Sequence, residues 1–401
     1  MNYKKMTICD IDLKGKRALV RCDFNVPLDD HGNITDDSRI VKTLPTIEYL
    51  LSHGASVILC SHIGRPKFGY EEKYSLKPVW LRLEELLNRN IFFMSEAVGS
   101  RAQLVASRLR PGEIMLLENV RFVLGETKND LDVSKQFASL ADVYVNDAFG
   151  SSHRAHASTE GVARFLPAVS GLLVKKELEV MGGVLDNPKR PFVLIVGGSK
   201  VSDKIGIIDY LLEKVDHIII GGGMSYTFTK ALGGEIGNSI CEVESLEYCQ
   251  RLLEKAKARG VQIHLPQDNV IADKFDPEAH KAVCQDGKIP EGWMGLDIGP
   301  KTIKEFSEVI RSAGTVVWNG PMGVFEWPRF AFGTQKVAQA MAESDALTVV
   351  GGGDSAAAVE QFGYADQITH ISTGGGASLE FFAGHTLPGI ACLMDRQEDT
   401  P

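Results

Sequence analysis

Short apolar runs alternate along the first half of the chain with segments whose apolar residues recur every three or four positions. In Asp36–His53 this spacing (Ile40, Leu44, Ile47, Leu51) predicts a helix with one apolar face, which Pro45 kinks or restarts. Further helices are predicted at Pro78–Asn88, 97–108 and 130–140. The apolar runs predict strands at Arg17–Cys22, Ala55–Cys60, Ile91–Met94, Ile114–Leu117 and Asp142–Asn146. Because these strands are apolar on both faces, we expect a parallel sheet that helices cover on both sides.

The second half of the chain repeats this alternation without residue-level similarity to the first. Its apolar runs predict strands at Phe192–Val196, His217–Ile220, Val261–Leu265, Thr315–Trp318, Ala346–Val350 and Thr369–Ser372. Helical patterns lie between them at 201–213, 245–259, 301–312 and 333–343. The predicted fold class is therefore α/β, with two Rossmann-like three-layer α/β/α domains whose sheets are mainly parallel.

A charged helix, Leu172–Asp186, is predicted between the two halves. We expect Gly182 and Gly183 to break this helix and Asn187-Pro188 to end it, which makes it an interdomain helix and hinge. The predicted domains are residues 1–170 and 188–385, with the interdomain helix at 171–187 and a tail at 386–401. An ordinary crossover helix with a weak end remains the alternative.

Composition narrows the class of protein. A length of 401 residues favours two domains, and 44% hydrophobic with 24% charged residues is typical of a globular protein. A formal net charge of -9 argues against nucleic acid as the main partner. Seven cysteines without a C-x-x-C pair indicate reduced thiols in a cytoplasmic protein. We expect no signal peptide, because the N-terminal segment MNYKKMTICDIDL lacks an apolar core. We expect no membrane span, because no apolar run reaches about 18 residues.

Polar side chains, several of them arginines, follow the predicted strands of the first half. In an open parallel sheet, ligands bind beyond the carboxyl ends of the strands. The residues found there are Asp23, Asn25, His62, Arg65, Arg121 and Arg154, and Arg39 lies at the front of the first helix. Arginine binds carboxylate and phosphate through two parallel hydrogen bonds, so the set predicts a pocket for a small anionic metabolite. Solvated surface charges are the alternative for any single arginine.

Glycine turns follow the strands of the second half. They occur at 197–198, 221–223, 351–353 and 374–376, and together they favour a backbone-lined surface for a nucleotide. Lys200 and Lys204 lie on one helical face if their turn is helical, and both then reach the same phosphates. Asp354, a carboxylate beside phosphates, indicates a bound divalent cation. The glycine turns do not have the sequence of a P-loop. A convincing dinucleotide-binding fingerprint is also missing, which argues against a dehydrogenase.

One half thus binds a small anion and the other a nucleotide, which predicts phosphoryl transfer after hinge closure. No kinase-like general base is found, which fits an acceptor carboxylate that is already ionised at neutral pH. A hinged protein that only captures an anionic metabolite is the alternative.

The chain resembles the phosphoglycerate kinase family along nearly its whole length. The segments that carry the resemblance include Val20–Pro27 (VRCDFNVP), Ser61–Pro66 (SHIGRP), Leu117–Phe122 (LENVRF), Tyr144–Gly150 (YVNDAFG) and His153–His156 (HRAH). The second half adds Gly197–Ile205, Ile220–Met224, Val317–Pro321, Val350–Ser355 and Ser372–Ser378.

The resemblance implies reversible phosphoryl transfer between ATP and the carboxylate of 3-phosphoglycerate, by hinge closure and direct in-line transfer in a monomer. It implies a phosphoglycerate site at Arg21, Asp23, Asn25, Arg39, His62, Arg65, Arg121 and Arg154. It implies a nucleotide site at Lys200, Lys204, Gly222, Gly295, Asn319, Pro321, Glu326, Gly351, Gly352, Gly353, Asp354 and Ser355. The implied catalytic groups are Arg39, Lys200, Gly353 and Gly376, and Asp354 is the implied Mg²⁺ ligand. The tail is expected to fold back onto the first domain.

A few residues depart from the family pattern. Ser199 and Cys22 stand where alanine and valine are usual. Gln367 stands where lysine is common, and Ala383 and His385 stand where glutamate and lysine are usual. Their effect on the hinge stays open. None of these departures removes a group that the resemblance implies for catalysis.

Overall fold

The computed structural model describes residues 3–67, 69–284 and 287–396. These residues divide into two compact units, one comprising Met1–Glu179 with Thr386–Pro401 and the other Val180–His385. We refer to them as the first and the second unit.

The first unit is built on a six-stranded parallel sheet. Its strands are β1 (Arg17–Arg21), β2 (Ser56–Cys60), β3 (Phe92–Met94), β4 (Ile114–Leu117), β5 (Val143–Asn146) and β6 (Ala168–Ser170), in the order β3-β4-β2-β1-β5-β6. The helices are α1 (Ser38–Ser52), α2 (Lys77–Leu87), α3 (Ser100–Ala106), α4 (Leu131–Ala138) and α5 (Leu172–Asp186). The central strands are buried on both faces, as their continuous apolar sequences predict.

Helix α1 continues through Pro45, so the alternative of a restart there is wrong, and Ile40, Ile47 and Leu50 bury its apolar face against the sheet. The predicted break in helix α5 is also wrong. Helix α5 continues through Gly182 and Gly183. A helical glycine costs only about 1 kcal/mol relative to alanine, and burial of the neighbouring apolar side chains offsets that cost. The division between the two units falls inside α5, between Glu179 and Val180.

The second unit contains a six-stranded parallel sheet and a three-stranded antiparallel sheet. The strands are β7 (Phe192–Val196), β8 (His217–Ile220), β9 (Gln262–His264), β10 (Asn269–Ala272), β11 (Lys281–Cys284), β12 (Met294–Ile298), β13 (Thr315–Asn319), β14 (Leu347–Val350) and β15 (His370–Ile371). The parallel sheet has the order β15-β14-β13-β7-β8-β9, and the antiparallel sheet has the order β11-β10-β12. The predicted fold class of two parallel-sheet α/β domains is confirmed, although the antiparallel sheet was not predicted.

Seven α-helices are assigned among the described residues of the second unit. They are α6 (Ile205–Leu211), α7 (Met224–Ala231), α8 (Leu246–Arg259), α9 (Pro300–Arg311), α10 (Phe332–Ala342), α11 (Gly353–Gln361) and α12 (Gly376–Phe382). Because α6 begins at Ile205, Lys200 and Lys204 both precede it. The condition for placing the two lysines on one helical face is therefore not met.

The C-terminal tail joins the first unit. It contains a short helix, α13 (Pro388–Ala391), and the Met394 N–H donates to the Ala168 carbonyl at 2.9 Å. Lys5 Nζ donates to the Leu393 carbonyl at 3.1 Å and to Asp395 Oδ1 at 2.6 Å. Residues 397–401 of the predicted tail lie outside the described residues. Within the described ranges, no helix combines the length and the apolar character needed to cross a membrane.

Candidate functional site

A cationic cavity lies beyond the carboxyl ends of the strands in the first unit. Its lining includes Arg65, Arg121, Arg154, His156 and two lysines, Lys67 and Lys128, and its volume is about 630 Å³. We call it the arginine pocket. The loops that follow β2, β4 and β5 supply its arginines, as expected for one edge of a parallel sheet. The two lysines come from loops that carry no periodic pattern, and sequence reasoning did not identify them.

The arginines of this pocket repel one another. Burial lowers the pKa of Arg121 to about 10, and the charges of Arg21, Arg154 and Arg65 act in the same direction. The Arg121 guanidinium donates to the Gly64 carbonyl, which fixes its position. Arginines held this close favour an anionic guest, because an anion relieves the repulsion between them.

Other predicted residues of the first site are not part of this pocket lining: Asp23 is buried, whereas Arg39 and Asn25 are half-buried. Asp23 forms an ion pair with the guanidinium group of Arg39. Asn25 Oδ1 accepts a hydrogen bond from the Gly64 N–H at 2.8 Å, so that Asn25 holds the loop that carries Arg65. These side chains thus orient the loops and arginines of the site.

Arg21 and His62 form a buried pair. Arg21 is 1% exposed, and its Nη2 lies 3.1 Å from His62 Nδ1. Burial of His62 and the positive charge of Arg21 lower the pKa of the imidazole well below its usual value. His62 is therefore neutral near pH 7.

A second cavity, of about 420 Å³, lies at the glycine turns of the second unit. We call it the glycine cavity. Five residues of the predicted nucleotide site line it, namely Gly222, Gly295, Pro321, Glu326 and Asp354. Tyr226 and Phe275 also line it, and neither was predicted, because an aromatic residue in a helix or loop is usually a packing residue.

Glycine is required where the walls of this cavity approach each other closely. Gly222 has φ +63, and a Cβ there would lie 2.6 Å from the Gly198 nitrogen and from the Pro321 carbonyl oxygen. Both contacts are with backbone, so no side chain can move to make room. Glycine at position 222 therefore lets the main chain of this turn approach the main chain of Gly198 and Pro321 more closely than a residue with a Cβ would allow.

Asn319 and Ser355 hold the glycine turns in place. Asn319 is buried at the end of β13, where its amide donates to the Gly351 carbonyl at 2.7 Å and accepts from Lys204 Nζ. Ser355 Oγ accepts from the Gly320 N–H at 2.6 Å. These contacts connect the turn after β13 with the turn after β14.

The charged groups beside the glycine cavity differ in exposure. Burial lowers the pKa of Lys204, and the nearby charges of Asp203 and Asp354 offset only part of this effect. Lys200 is exposed, and Asp354 lies exposed in the first turn of α11. Gly353 is the first residue of α11, and Gly376 is the first residue of α12. Free N–H groups at the start of α11, with a lysine nearby, suit the phosphates of a nucleotide.

Comparisons with known proteins show the family to which this chain belongs. The family model described as phosphoglycerate kinase matches residues 8–385. A phosphoglycerate kinase from Clostridium botulinum is 57% identical over 399 residues, which cover 99% of this chain and 100% of that protein. The phosphoglycerate kinase from Clostridium tetani is 56% identical over 397 residues, covering 98% and 99% of the two chains.

Solved structures give the same result. The structure of phosphoglycerate kinase from Coxiella burnetii has a TM-score of 0.90 at 41% identity, and the match covers 97% of this chain and 98% of that one. The phosphoglycerate kinase from Pyrococcus horikoshii has a TM-score of 0.84 at 32% identity with the same coverage.

Proposed function

The chain belongs to the phosphoglycerate kinase family, and on that premise we propose which of its residues hold each substrate. The protein is a glycolytic phosphotransferase that transfers a phosphoryl group between ATP and the carboxylate of 3-phosphoglycerate, giving ADP and 1,3-bisphosphoglycerate. The alternative of a binding protein without catalysis has no support in these comparisons.

Phosphoglycerate binds in the arginine pocket. The observation that carries this assignment is the group of three arginines, Arg65, Arg121 and Arg154, around one cavity in a chain of net charge -9. Their guanidinium groups bind the phosphate of the substrate through paired hydrogen bonds. His62, Asn25 and the Arg39–Asp23 pair complete the site, and Arg21 supports His62 from behind.

The nucleotide binds in the glycine cavity. The adenosine contacts Gly222, Gly295, Pro321 and Glu326, and the phosphates lie at the start of α11, at Gly351–Gly353 and Ser355. Lys204 binds the nucleotide phosphates, and Asn319 holds its ammonium group in place. Support comes from the shared cavity, which brings together residues from distant parts of the second half of the chain.

Asp354 is the protein ligand of a Mg²⁺ ion that enters with the nucleotide. Among the described residues, no group of three or more histidine, cysteine, aspartate or glutamate side chains could hold a metal ion. A single carboxylate fits Mg²⁺, which is usually held by one or two carboxylates, water and substrate phosphates. When bound, the ion neutralises charge on the phosphates.

Phosphoryl transfer needs positioning and charge stabilisation more than proton removal, because the acceptor carboxylate is already ionised at neutral pH. Arg39 and Lys200 stabilise the charge on the transferring phosphoryl group, and the main-chain groups at Gly353 and Gly376 cradle it. The two substrates bind to different units, so we propose that a hinge closes to bring them into line for direct transfer.

The proposal extends to the organisation of the chain. The domains are residues 1–170 and 188–385, the connecting helix is 171–187, and 386–401 is a tail of the first domain. We propose a cytoplasmic monomer whose partners are its small-molecule substrates, without nucleic acid or membrane, in keeping with its acidic net charge.

The experiment that tests the function is an assay of ADP formation by the purified full-length chain. It contains ATP, 3-phosphoglycerate and magnesium, with single omissions of each as controls. We expect turnover only when all three are present. Absence of turnover in folded, pure protein would contradict the assignment, and ADP formation without 3-phosphoglycerate would indicate a different acceptor.

A further inference from the structure

A buried glutamate lies behind the arginine pocket. Glu126 is 0% exposed and begins a short 3₁₀ turn, Glu126–Lys128, in the loop between β4 and α4. A carboxylate without solvent is costly unless other groups compensate its charge and its hydrogen-bonding capacity. Its surroundings therefore indicate what it does.

Two side chains contact the Glu126 carboxylate. Ser158 Oγ donates to Oε1 at 2.6 Å, and His156 Nδ1 lies 3.5 Å from Oε2. Burial raises the pKa of Glu126, but the contact with His156 and the charge of Arg21 outweigh this effect and hold it below its usual value. Glu126 is therefore a buried anion in a region that is otherwise rich in arginine.

The contact through Ser158 continues to Arg21 and His62. Arg21 Nε donates to Ser158 Oγ at 3.0 Å, and Arg21 Nη2 lies 3.1 Å from His62 Nδ1. Arg21 also donates to the Cys22 carbonyl, so its guanidinium is anchored on several sides. The four residues 126, 158, 21 and 62 form one chain of contacts from the buried carboxylate to the site.

The contact with Arg21 at the end of this series fixes the tautomer of His62. A guanidinium has donors only, so His62 Nδ1 must accept the hydrogen bond from Arg21. Because the imidazole is neutral, its proton resides on Nε2. His62 can then donate from Nε2 to an anionic substrate.

We propose that Glu126 is a positioning residue for phosphoglycerate binding, which acts through Ser158 and Arg21 to hold His62 as an Nε2–H donor. The identity of the ligand rests on the proposed function, whereas the contact chain does not. His156 takes part as well, because it lines the arginine pocket and contacts the same carboxylate. Loss of the carboxylate charge frees Arg21 to move and lets His62 change tautomer.

The test compares the wild-type protein with Glu126→Gln, which keeps the shape of the side chain and removes its charge. Two kinds of measurement are made on the full-length protein. Steady-state kinetics gives KM for 3-phosphoglycerate and KM for ATP, and NMR gives the ¹⁵N chemical shifts of the His62 ring. We expect the wild-type ring to show one Nε2–H tautomer. In Glu126→Gln we expect mixed tautomers and a KM for 3-phosphoglycerate about tenfold higher, with the KM for ATP within about twofold of wild type.

Glu118→Gln is the matched control. Glu118 is also a buried carboxylate of the first unit, at 2% exposure, but it accepts from Leu76 N and Ser75 Oγ at the start of α2. We expect this variant to lose thermal stability without any change in the His62 signals or in KM. Changes of equal size in both variants would mean that Glu126 has only a structural role, which overturns the proposal.

Ser158→Ala tests the link if Glu126→Gln does not fold. It removes only the hydroxyl between the carboxylate and Arg21, and we expect the same direction of change in both readouts. Wild-type His62 signals together with an unchanged KM for 3-phosphoglycerate would overturn the proposal. If the wild-type enzyme has no turnover, the proposed function fails, and the ¹⁵N comparison still decides the role of Glu126.

Discussion

In the proposed assignment, the arginine pocket and the glycine cavity bind phosphate-bearing molecules by different means. In the arginine pocket, the proposed ligand groups are charged side chains, and buried carboxylates contact residues of the site, as Asp23 contacts Arg39 and Glu126 contacts His156. In the glycine cavity, five glycines line the walls beside side chains such as Tyr226, and positions such as Gly222 have no room for a Cβ. Removal of a side chain should therefore damage the first site, whereas addition of one should damage the second.

The comparison also separates binding from chemistry. Lys200 is exposed beside the glycine turns, while Lys204 is half-buried and already engaged with Asn319. In the proposed roles, the exposed Lys200 ammonium group follows the transferring phosphoryl group, whereas Lys204 holds the phosphates that stay with the nucleotide. The four predictions below test these distinctions in order of decreasing effect.

Lys200→Ala should cause the largest loss. We expect kcat to fall by about a hundred- to thousandfold with little change in the Kd for ATP, because the lysine acts where charge develops in the transition state. Single-turnover kinetics and calorimetry measure the two quantities. Lys257→Ala, an exposed lysine on α8, is the control and should leave both unchanged. Equal losses in binding and turnover would contradict the role given to Lys200.

Asp354→Asn should weaken activation by magnesium by about a hundredfold, because the amide loses the charge that attracts the ion. The measurement is the magnesium concentration that gives half-maximal rate at saturating ATP and 3-phosphoglycerate. Asp345→Asn, which changes an exposed aspartate before β14, should show wild-type dependence. An unchanged magnesium requirement in Asp354→Asn would remove it as the metal ligand.

Arg154→Ala should raise the KM for 3-phosphoglycerate by about ten- to a hundredfold and spare the KM for ATP, because a charged hydrogen bond contributes about 1.5–3 kcal/mol. Arg164→Ala serves as the control, since Arg164 is exposed and pairs with Glu160 at 2.9 Å. Steady-state kinetics with each substrate varied in turn measures both effects. A selective defect in ATP binding would place Arg154 in the wrong site.

Gly353→Ala should lower kcat/KM for ATP by about tenfold without loss of stability. Gly353 is helical, and a Cβ there would meet no atom within 4 Å, so the free protein accommodates alanine. A functional loss would then report a contact with the nucleotide phosphates. Gly183→Ala in α5 is the control, because its Cβ also meets nothing within 4 Å and only helix propensity changes. Wild-type kinetics in Gly353→Ala would argue against a phosphate at that position.

Much of the fold could be predicted from local sequence. Strands such as Phe192–Val196 and His217–Ile220 are continuous apolar runs that end at glycine, and the structure gives them the predicted bounds. The antiparallel strand Lys281–Cys284 was missed because it is short and mostly exposed. Helix α7 was missed because several polar residues, including Ser225 and Thr227, are buried in it and obscure an amphipathic pattern.

Part of the candidate site could also be predicted from the sequence, and part could not. Arginines and glycines that directly follow strands could be predicted, because the fold class alone brings strand ends to one edge. The contacts behind them could not, since Arg21, His62, Glu126 and Ser158 lie far apart in sequence and meet only in the folded unit. Likewise, nothing local indicates that Asn319 holds both Lys204 and Gly351.

The assignment of 3-phosphoglycerate to the arginine pocket and of the nucleotide to the glycine cavity is tested most directly by calorimetry with one ligand at a time. Arg154→Ala and Gly353→Ala are each titrated with 3-phosphoglycerate alone and with MgATP alone, alongside the wild-type protein. Our account predicts a crossed result, in which Arg154→Ala loses affinity only for 3-phosphoglycerate and Gly353→Ala only for MgATP. If either variant lost affinity for both ligands equally while remaining folded, the assignment of one substrate to each unit would be wrong.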